Sequence, residues 1–252
     1  MHPRRLYAHR GASAERPENT MPAFERAAEV GVDALEMDVH LTRDDQLLVV
    51  HDDTAQRTCG VSRAWRELDL ADAQRLDAGW GFVAADGTRP FAGRGISAPS
   101  FADVLDAFPG LRINVDLKGD RAVELMLALL RSKRAEDRVT LASFQLRTLM
   151  QIRRRGFGGE TALSQPEVAS LIAVPAMLWR QLPLTGSAAQ LPTHAGRVRL
   201  DRASFIAKCH SIGLRVDFWT IDDPAEARRL IELGADGIMT NDPAAVRSVF
   251  HG

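Results

Sequence analysis

Acidic and imidazole side chains interrupt an otherwise apolar stretch at 35–52, which reads LEMDVHLTRDDQLLVVHD. Glu36 and Asp38 are two residues apart, and in a β-strand that spacing places both carboxylates on one face. His51 and Asp52 end the second apolar run. A strand that only builds a core would carry apolar residues at these positions. The stretch therefore predicts a functional site.

The two apolar runs are too close together for a helix to lie between them, so they predict a β-hairpin. The segment TRDDQ at 42–46 is the expected turn. A turn centred on this segment places Asp38 opposite His51 and puts His40 on the face that carries the acids. The hairpin is therefore expected to gather carboxylates and an imidazole.

Asp116, in the apolar run INVDLK, adds a third acid to Glu36 and Asp38. Carboxylate oxygens suit Mg²⁺ or Ca²⁺, and no cysteine or histidine spacing suggests zinc. Three such groups at one place would repel each other and raise at least one pKa unless a cation is bound. The alternative is that these acids only pair with arginine and lysine at a polar end of the fold.

Two histidines and two cations complete the set of candidate site residues. His9 and His51 each follow a predicted strand, and an imidazole can accept or donate a proton near neutral pH. Arg10 and Lys118 would bind phosphate oxygens, through a planar fork and a point charge respectively. The alternative is a pair of structural histidines and two surface cations. The combination of divalent metal, imidazoles and cations indicates phosphate ester chemistry.

Short apolar runs alternate with segments of helical period, which predicts a parallel sheet with crossover helices. The strand candidates are 6–9, 33–39, 47–51, 113–118, 139–144, 161–164, 187–192, 215–220 and 237–240. The helical segments are AFERAAEVG, SFADVLDAF, AVELMLALLRSK, LRTLMQIRRRG, SFIAKCHSIG and PAEARRLIELGA.

This order of elements predicts a single (β/α)₈ barrel over 1–252, with the extra hairpin strand outside the barrel count. A barrel of this kind needs about 250 residues, which is the whole chain. The polar residues lie at the carboxyl ends of the strands, and these ends meet at one face of a barrel. Residues 53–112 do not follow the strand–helix alternation. We expect them to form an insertion that covers the site.

The composition gives no reason to expect a nucleic acid or an anionic membrane surface as partner. The 252 residues include 32 basic and 33 acidic ones, which is a balanced charge. Cys59 and Cys209 are expected to be reduced thiols. No segment has the pattern of a signal peptide or a membrane span, so a cytoplasmic protein acting on a small molecule is expected. The oligomeric state is left open.

Eight segments along the chain form one ordered set of motifs, namely AHRG (8–11), RPENT (16–20), LEMDVHLTRDDQLLVVHDD (35–53), PSFADVLDAFP (99–109), INVDLKG (113–119), ASF (142–144), FWTIDDP (218–224) and GADGIMTNDP (234–243). In order and spacing these motifs resemble the glycerophosphodiester phosphodiesterase family. The resemblance implies a (β/α)₈ barrel, the metal ligands Glu36, Asp38 and Asp116, and the catalytic histidines His9 and His51. It also implies phosphate contacts from Arg10 and Lys118, and a place for Trp219 near the glycerol or headgroup. The alternative for Trp219 is a rim aromatic.

Two departures from the family pattern affect what it implies. Asp116 stands where the family usually has Glu, so the identity of the cation is more open than the activity. The ending TNDP also differs from the more common T-D-x-P.

The implied reaction is hydrolysis of a glycerophosphodiester to glycerol 3-phosphate and an alcohol. One alternative is a lysophospholipase D-like or sphingomyelinase D-like enzyme that acts on lipids, in some cases through a cyclic phosphate. Another is a phosphoester-binding protein without catalysis, which would need no pair of histidines for proton transfer.

Overall fold

The computed structural model describes residues 2–182 and 184–250. Strands and helices alternate along the chain. They are β1 (Arg5–His9), α1 (Met21–Val30), β2 (Ala34–Leu41), β3 (Leu47–Val49), α2 (Gln56–Cys59), α3 (Leu70–Ala73), α4 (Phe101–Ala107), β4 (Arg112–Leu117), α5 (Val123–Ser132), β5 (Val139–Ala142), α6 (Leu146–Arg154), β6 (Glu160–Thr161), α7 (Gln165–Ala173), β7 (Ala188–Leu191), β8 (His194–Ala195), β9 (Val198–Arg199), α8 (Ala203–Ser211), β10 (Arg215–Phe218), α9 (Pro224–Glu232), β11 (Gly237–Thr240) and α10 (Pro243–Val246).

Eight parallel strands form the barrel, in the order β6-β5-β4-β2-β1-β11-β10-β7. A parallel bridge between Ala162 and Ala188 joins the two ends of this sheet. β3 pairs with β2 in the antiparallel sense and lies outside the barrel, while β8 and β9 form a separate two-stranded ribbon. The predicted eight-stranded barrel with an extra hairpin strand is confirmed.

The predicted register of the hairpin is wrong by one residue. Val39 pairs with Val49, and the Val50 amide donates to the Asp38 carbonyl at 3.0 Å, so Asp38 lies opposite Val50 instead of His51. The cause is the turn, in which Thr42 pairs with Gln46 around three residues and Asp45 takes a left-handed φ of 56°. β3 ends at Val49, so His51 lies in the loop that follows the strand.

Two barrel helices, α7 and α10, were not predicted. The start of α7 carries a signal that the sequence analysis missed, the capping-box pattern SQPE. In the structure, the Glu167 carboxylate accepts hydrogen bonds from both the amide and the hydroxyl of Ser164, each at 2.7 Å. α10 is only four residues long, and periodicity cannot identify a helix of one turn.

Alternate residues of the barrel strands face the helices and the barrel interior. On β1, Leu6 and Ala8 are buried in the main apolar core between sheet and helices. The alternate residues Arg5 and Tyr7 turn toward the interior, where Arg5 pairs with Glu160 at 2.7 Å and Tyr7 donates to Asp217. The interior is therefore polar, and most of the apolar stabilisation lies in the layer between strands and helices.

The insertion is shorter than the predicted 53–112, because α4 already belongs to the barrel. Phe101, Val104 and Leu105 of α4 are buried in the main core. The preceding segment has a satellite core of its own. Its buried residues are Leu48, Val50, Ala55, Cys59, Trp65, Leu68, Ala73, Ala78 and Ala98. Within the described residues, no helix combines the length and apolarity needed to cross a membrane.

Candidate active site

A cavity of about 470 Å³ opens at the carboxyl ends of the barrel strands. All the site residues predicted from the sequence line this one cavity, namely His9, Arg10, Glu36, Asp38, His51, Asp116, Lys118 and Trp219. The structure thus brings the whole predicted set together, as expected for the carboxyl face of a barrel.

Strand register places the three acids on neighbouring strands. In the parallel pairing of β2 with β4, Asp38 lies beside Asp116, and in that of β1 with β2, His9 lies beside Glu36. All three carboxylates are buried. Such a concentration of negative charge in a buried place requires compensation.

Two cations supply part of that compensation. The Lys118 ammonium lies 2.7 Å from Asp38 Oδ1 and 2.6 Å from Asp116 Oδ2. The Arg10 guanidinium Nε is 3.3 Å from Asp38 Oδ2, and the Arg10 backbone amide donates to Glu36 at 3.0 Å. The two cations are therefore concentrated on Asp38, and no side-chain cation lies at hydrogen-bond distance from Glu36 among the described contacts.

The pKa values of the acids follow this distribution of charge. Burial, together with the Asp38 charge, raises the pKa of Glu36 well above its ordinary value. Burial also raises the pKa of Asp116, although Lys118 opposes the shift. For Asp38, burial alone would raise the pKa, but Lys118 and Arg10 outweigh it and hold the pKa below its ordinary value. Glu36 and Asp116 would thus gain from a further cation.

The acids fit a hard divalent cation by their chemistry. They provide only carboxylate oxygens, and burial raises the pKa of two of the three, Glu36 and Asp116. In the described part of the chain, however, no three acidic, histidine or cysteine side chains meet in the arrangement of a metal site. The Lys118 ammonium bridges Asp38 and Asp116, so a cation between these two would have to replace it.

His9 is held by a neutral partner. Its Nδ1 is 2.7 Å from the Asn241 side-chain oxygen, and Asn241 is itself held by Asp222 and Ser13. Since an amide oxygen can only accept, Nδ1 carries the proton and Nε2 is free for chemistry. Burial lowers the pKa of His9, although the hydrogen bond to Asn241 opposes this. His9 is therefore a neutral imidazole near neutral pH.

His51 is held by a charged partner. Its Nδ1 lies 2.7 Å from Asp52 Oδ1, and its carbonyl accepts a hydrogen bond from His40 Nε2 at 2.9 Å. Burial would raise the pKa of Asp52, but hydrogen bonds from Arg57 and His51 lower it to about 2. A carboxylate at this position fixes the tautomer and the orientation of the His51 ring. His40 does not line the cavity and acts on the backbone of His51.

Most of the apolar lining of the cavity comes from 160–200, the part of the chain with the weakest sequence signal. Its apolar lining is Ala162, Leu163, Val168, Ala169, Ile172, Ala195 and Leu200. Phe144 and Trp219 stand edge to face with ring centroids 6.2 Å apart, and Phe144 is 54% exposed. The expectation that 53–112 covers the site is wrong, since no residue of that segment lines this cavity.

The family assignment rests on the whole barrel. A family model described as the glycerophosphoryl diester phosphodiesterase family matches residues 9–245. The chain belongs to this family, and it is an enzyme of the phosphodiesterase class. The relatives agree with the assignment. Probable glycerophosphodiester phosphodiesterase 2 of Mycobacterium tuberculosis is 30% identical, with 96% of this chain and 89% of the relative covered.

Other relatives in the family carry a lipid-related name or a bound product. The human protein named lysophospholipase D GDPD1 is 28% identical over 97% of this chain and 85% of its own length. A phosphodiesterase from Oleispira antarctica, solved with the product sn-glycerol-3-phosphate, has a TM-score of 0.81 at 20% identity. That comparison covers 98% of this chain and 97% of the other. At this identity the likeness supports the barrel fold alone.

Proposed function

We propose that this family member hydrolyses glycerophosphodiesters to glycerol 3-phosphate and an alcohol with the help of one divalent cation. The observation that carries the proposal is the lining of one cavity by two oriented imidazoles, three buried acids and two cations. A binding protein without catalysis would need no such pair of imidazoles. The names of the relatives, and the product bound to the phosphodiesterase from Oleispira antarctica, point to the same substrate class.

The two histidines divide the proton transfers. His9, neutral and with Nε2 free, accepts the proton of the attacking hydroxyl, which belongs either to water or to the substrate. His51, with Asp52 behind it, gives a proton from Nε2 to the leaving alkoxide as the bond from phosphorus to that oxygen breaks. This assignment follows from their partners, because a carboxylate stabilises the charged imidazolium and an amide oxygen does so less.

Glu36, Asp38 and Asp116 are the residues that would hold the cation, Mg²⁺ or Ca²⁺. When bound, such an ion supplies positive charge to the phosphoryl oxygens. Arg10 and Lys118 bind the same oxygens, and Lys118 would turn from Asp38 and Asp116 toward the phosphate. Trp219, which lines the cavity, would contact the glycerol or the headgroup.

A substrate panel with controlled cations tests this proposal. Glycerophosphocholine and related diesters should be turned over, EDTA should abolish turnover, and Mg²⁺ or Ca²⁺ should restore it. Glu36→Gln should lose cation binding in calorimetric titration as well as activity, while Asp72→Asn, at an exposed acid of α3, should retain both. Full turnover in exhaustively chelated buffer would remove the cation from the mechanism.

The apolar wall favours a second candidate, a lysophospholipase D-like activity in which the glycerol side of the substrate carries an acyl chain and the headgroup alcohol leaves. Val168, Ile172 and Leu200 line the cavity beside the polar groups, where an acyl chain would be removed from water. Lysophosphatidylcholine and glycerophosphocholine should be compared, with Ile172→Ser as the test variant. If Ile172→Ser lowers the turnover of lysophosphatidylcholine alone, the result supports this candidate. An equal loss of turnover for both substrates excludes it. The products also show whether a cyclic phosphate is formed.

A further inference from the structure

The insertion brings one side chain to the edge of the candidate active site. Ala55 and Cys59, on either side of Arg57, are buried in the satellite core with Trp65. The backbone at Arg57 is therefore fixed to the barrel through packing. Its own side chain is half exposed and lies against two acids, Glu18 and Asp52.

Arg57 contacts both acids at once. Its Nη1 and Nη2 donate to the two oxygens of Glu18 at 2.5 and 2.8 Å, and its Nε donates to Asp52 Oδ2 at 2.7 Å. The other sides of these acids hold site residues. Glu18 accepts from Arg10 Nη1 at 3.0 Å, and Asp52 accepts from His51 Nδ1 at 2.7 Å.

We propose that Arg57 is a positioning residue that fixes His51 and Arg10 together. It acts through Asp52 and Glu18, since Arg57 does not line the cavity. One guanidinium thereby orients the proposed general acid and a proposed phosphate contact. This inference rests on the proposed function for its effect on turnover, whereas the orientation of His51 can be measured without turnover.

The geometry requires an arginine. Its planar fork reaches both carboxylates, whereas a lysine ammonium is a point charge on a flexible stem and cannot hold two acids in fixed directions. Half-exposed ion pairs contribute little to stability, so loss of Arg57 should disturb the site more than the fold. This separates positioning from a structural role.

The test compares Arg57→Met and Arg57→Lys with Arg63→Met, a control at an exposed arginine of the same insertion. The ring nitrogens of His51 are observed by ¹⁵N NMR in the full chain and assigned by their loss in His51→Ala. Steady-state kcat and KM for a glycerophosphodiester are measured on the same proteins, together with thermal unfolding.

Arg57→Met should lose the single Nδ1–H tautomer of His51. Its kcat should fall about 10- to 100-fold, the range found when a partner behind a site residue is removed. Arg57→Lys should recover only part of the Nδ1–H tautomer of His51 and part of the lost kcat. Arg63→Met should have the tautomer and the kcat of the wild type. In a protein that already carries Asp52→Asn, Arg57→Met should lower kcat by a smaller factor, because Arg57 and Asp52 act on the same histidine, His51.

An unchanged His51 tautomer with kcat within twofold of the wild type in Arg57→Met overturns the inference. Full recovery by Arg57→Lys also overturns it, since charge alone would then suffice. If Arg57→Met does not fold, Arg57→Lys decides by the same two readouts. If the wild type turns over no glycerophosphodiester, the proposed function fails, and the NMR result still decides the role of Arg57.

Discussion

At the residue scale, the two histidines of the cavity differ in the groups that hold them. His9 faces an amide oxygen and is neutral, while His51 faces a carboxylate whose pKa is about 2. Each partner leaves Nε2 free and Nδ1 occupied. The same side chain can therefore serve as base at one position and as acid at the other.

Replacement of either histidine should remove proton transfer without disturbing the fold. His9→Ala and His51→Ala are expected to lower kcat by about 10²- to 10⁴-fold, the usual contribution of a general acid or base. His2→Ala is the matched control, because His2 precedes β1 and lies at the opposite end of the barrel from the cavity. The kcat values are measured from the amount of product formed when the reaction is stopped at fixed times. Near-wild-type turnover in either variant would exclude that histidine from the mechanism.

Asn241 is a site residue that the sequence analysis did not identify. Asn241→Leu should release His9 from its fixed tautomer and lower kcat about 10- to 100-fold, with a smaller effect on KM. Asn241 donates to the Asp222 carboxylate and accepts from the Ser13 hydroxyl, and these two hydrogen bonds orient its amide toward His9. The control is Ser211→Ala on α8. Asn19→Ala is unsuitable as a control, because Asn19 donates a hydrogen bond to Asp38. A normal kcat in Asn241→Leu would show that His9 needs no such partner.

At the element scale, α7 determines the shape of the apolar wall. Val168, Ala169 and Ile172 of this helix line the cavity. Glu167 ties the start of α7 to Ser164 and, through a 2.8 Å ion pair, to Arg153 of α6. Both partners of this pair are almost fully buried. A single carboxylate thus fixes the position of the wall relative to the barrel.

Removal of that carboxylate should be costly. Glu167→Ala leaves Arg153 buried without its partner and is expected to lower the free energy of unfolding by about 3 kcal/mol. Glu124→Ala, at an exposed acid of α5, should change it by less than about 0.5 kcal/mol. Urea unfolding followed by circular dichroism measures both. Equal stabilities for the two variants would mean that the pair does not fix α7.

At the scale of the whole molecule, the polar interior of the barrel links distant strands. Arg5 of β1 pairs with Glu160 of β6, and Arg215 pairs with Asp217 on β10. Tyr7 donates to Asp217 at 3.2 Å. Because ionisable groups make these contacts, the stability of the barrel depends on pH as well as on apolar burial.

The Arg5–Glu160 pair predicts loss of stability in acid. The Arg5 hydrogen bond lowers the pKa of Glu160 from 4.5 to about 2. The pair therefore gives its full stabilisation at pH values above the pKa of Glu160 in the unfolded chain. This stabilisation is lost as the pH falls toward the pKa of Glu160 in the folded protein. Glu160→Gln should cost about 1–2 kcal/mol at pH 7, a value discounted for a carboxylate one-third exposed.

Denaturant unfolding of Glu160→Gln and wild type at pH 7 and pH 3 measures this effect. The difference between the two proteins should narrow as the pH falls. Glu232→Gln, at an exposed acid of α9, is the control and should show no such narrowing. A difference that stays constant with pH would contradict the role of the Glu160 charge.

The sequence determined the barrel and the polar side chains that line its cavity. Alternation of strands and helices is a local pattern, and the carboxyl ends of parallel strands must meet at one face whatever the details of packing. For that reason His9, Glu36, Asp116 and Lys118 could be placed together before any coordinates.

Only the tertiary structure decided the turn of the hairpin, the apolar wall and the partners of the histidines. The register of Asp38 depended on the left-handed Asp45, and the wall depended on a capped helix of weak periodicity. Asn241 reaches His9 across 232 positions, and Arg57 reaches Glu18 across 39. Contacts between side chains so far apart in sequence follow from three-dimensional packing, which no local pattern encodes.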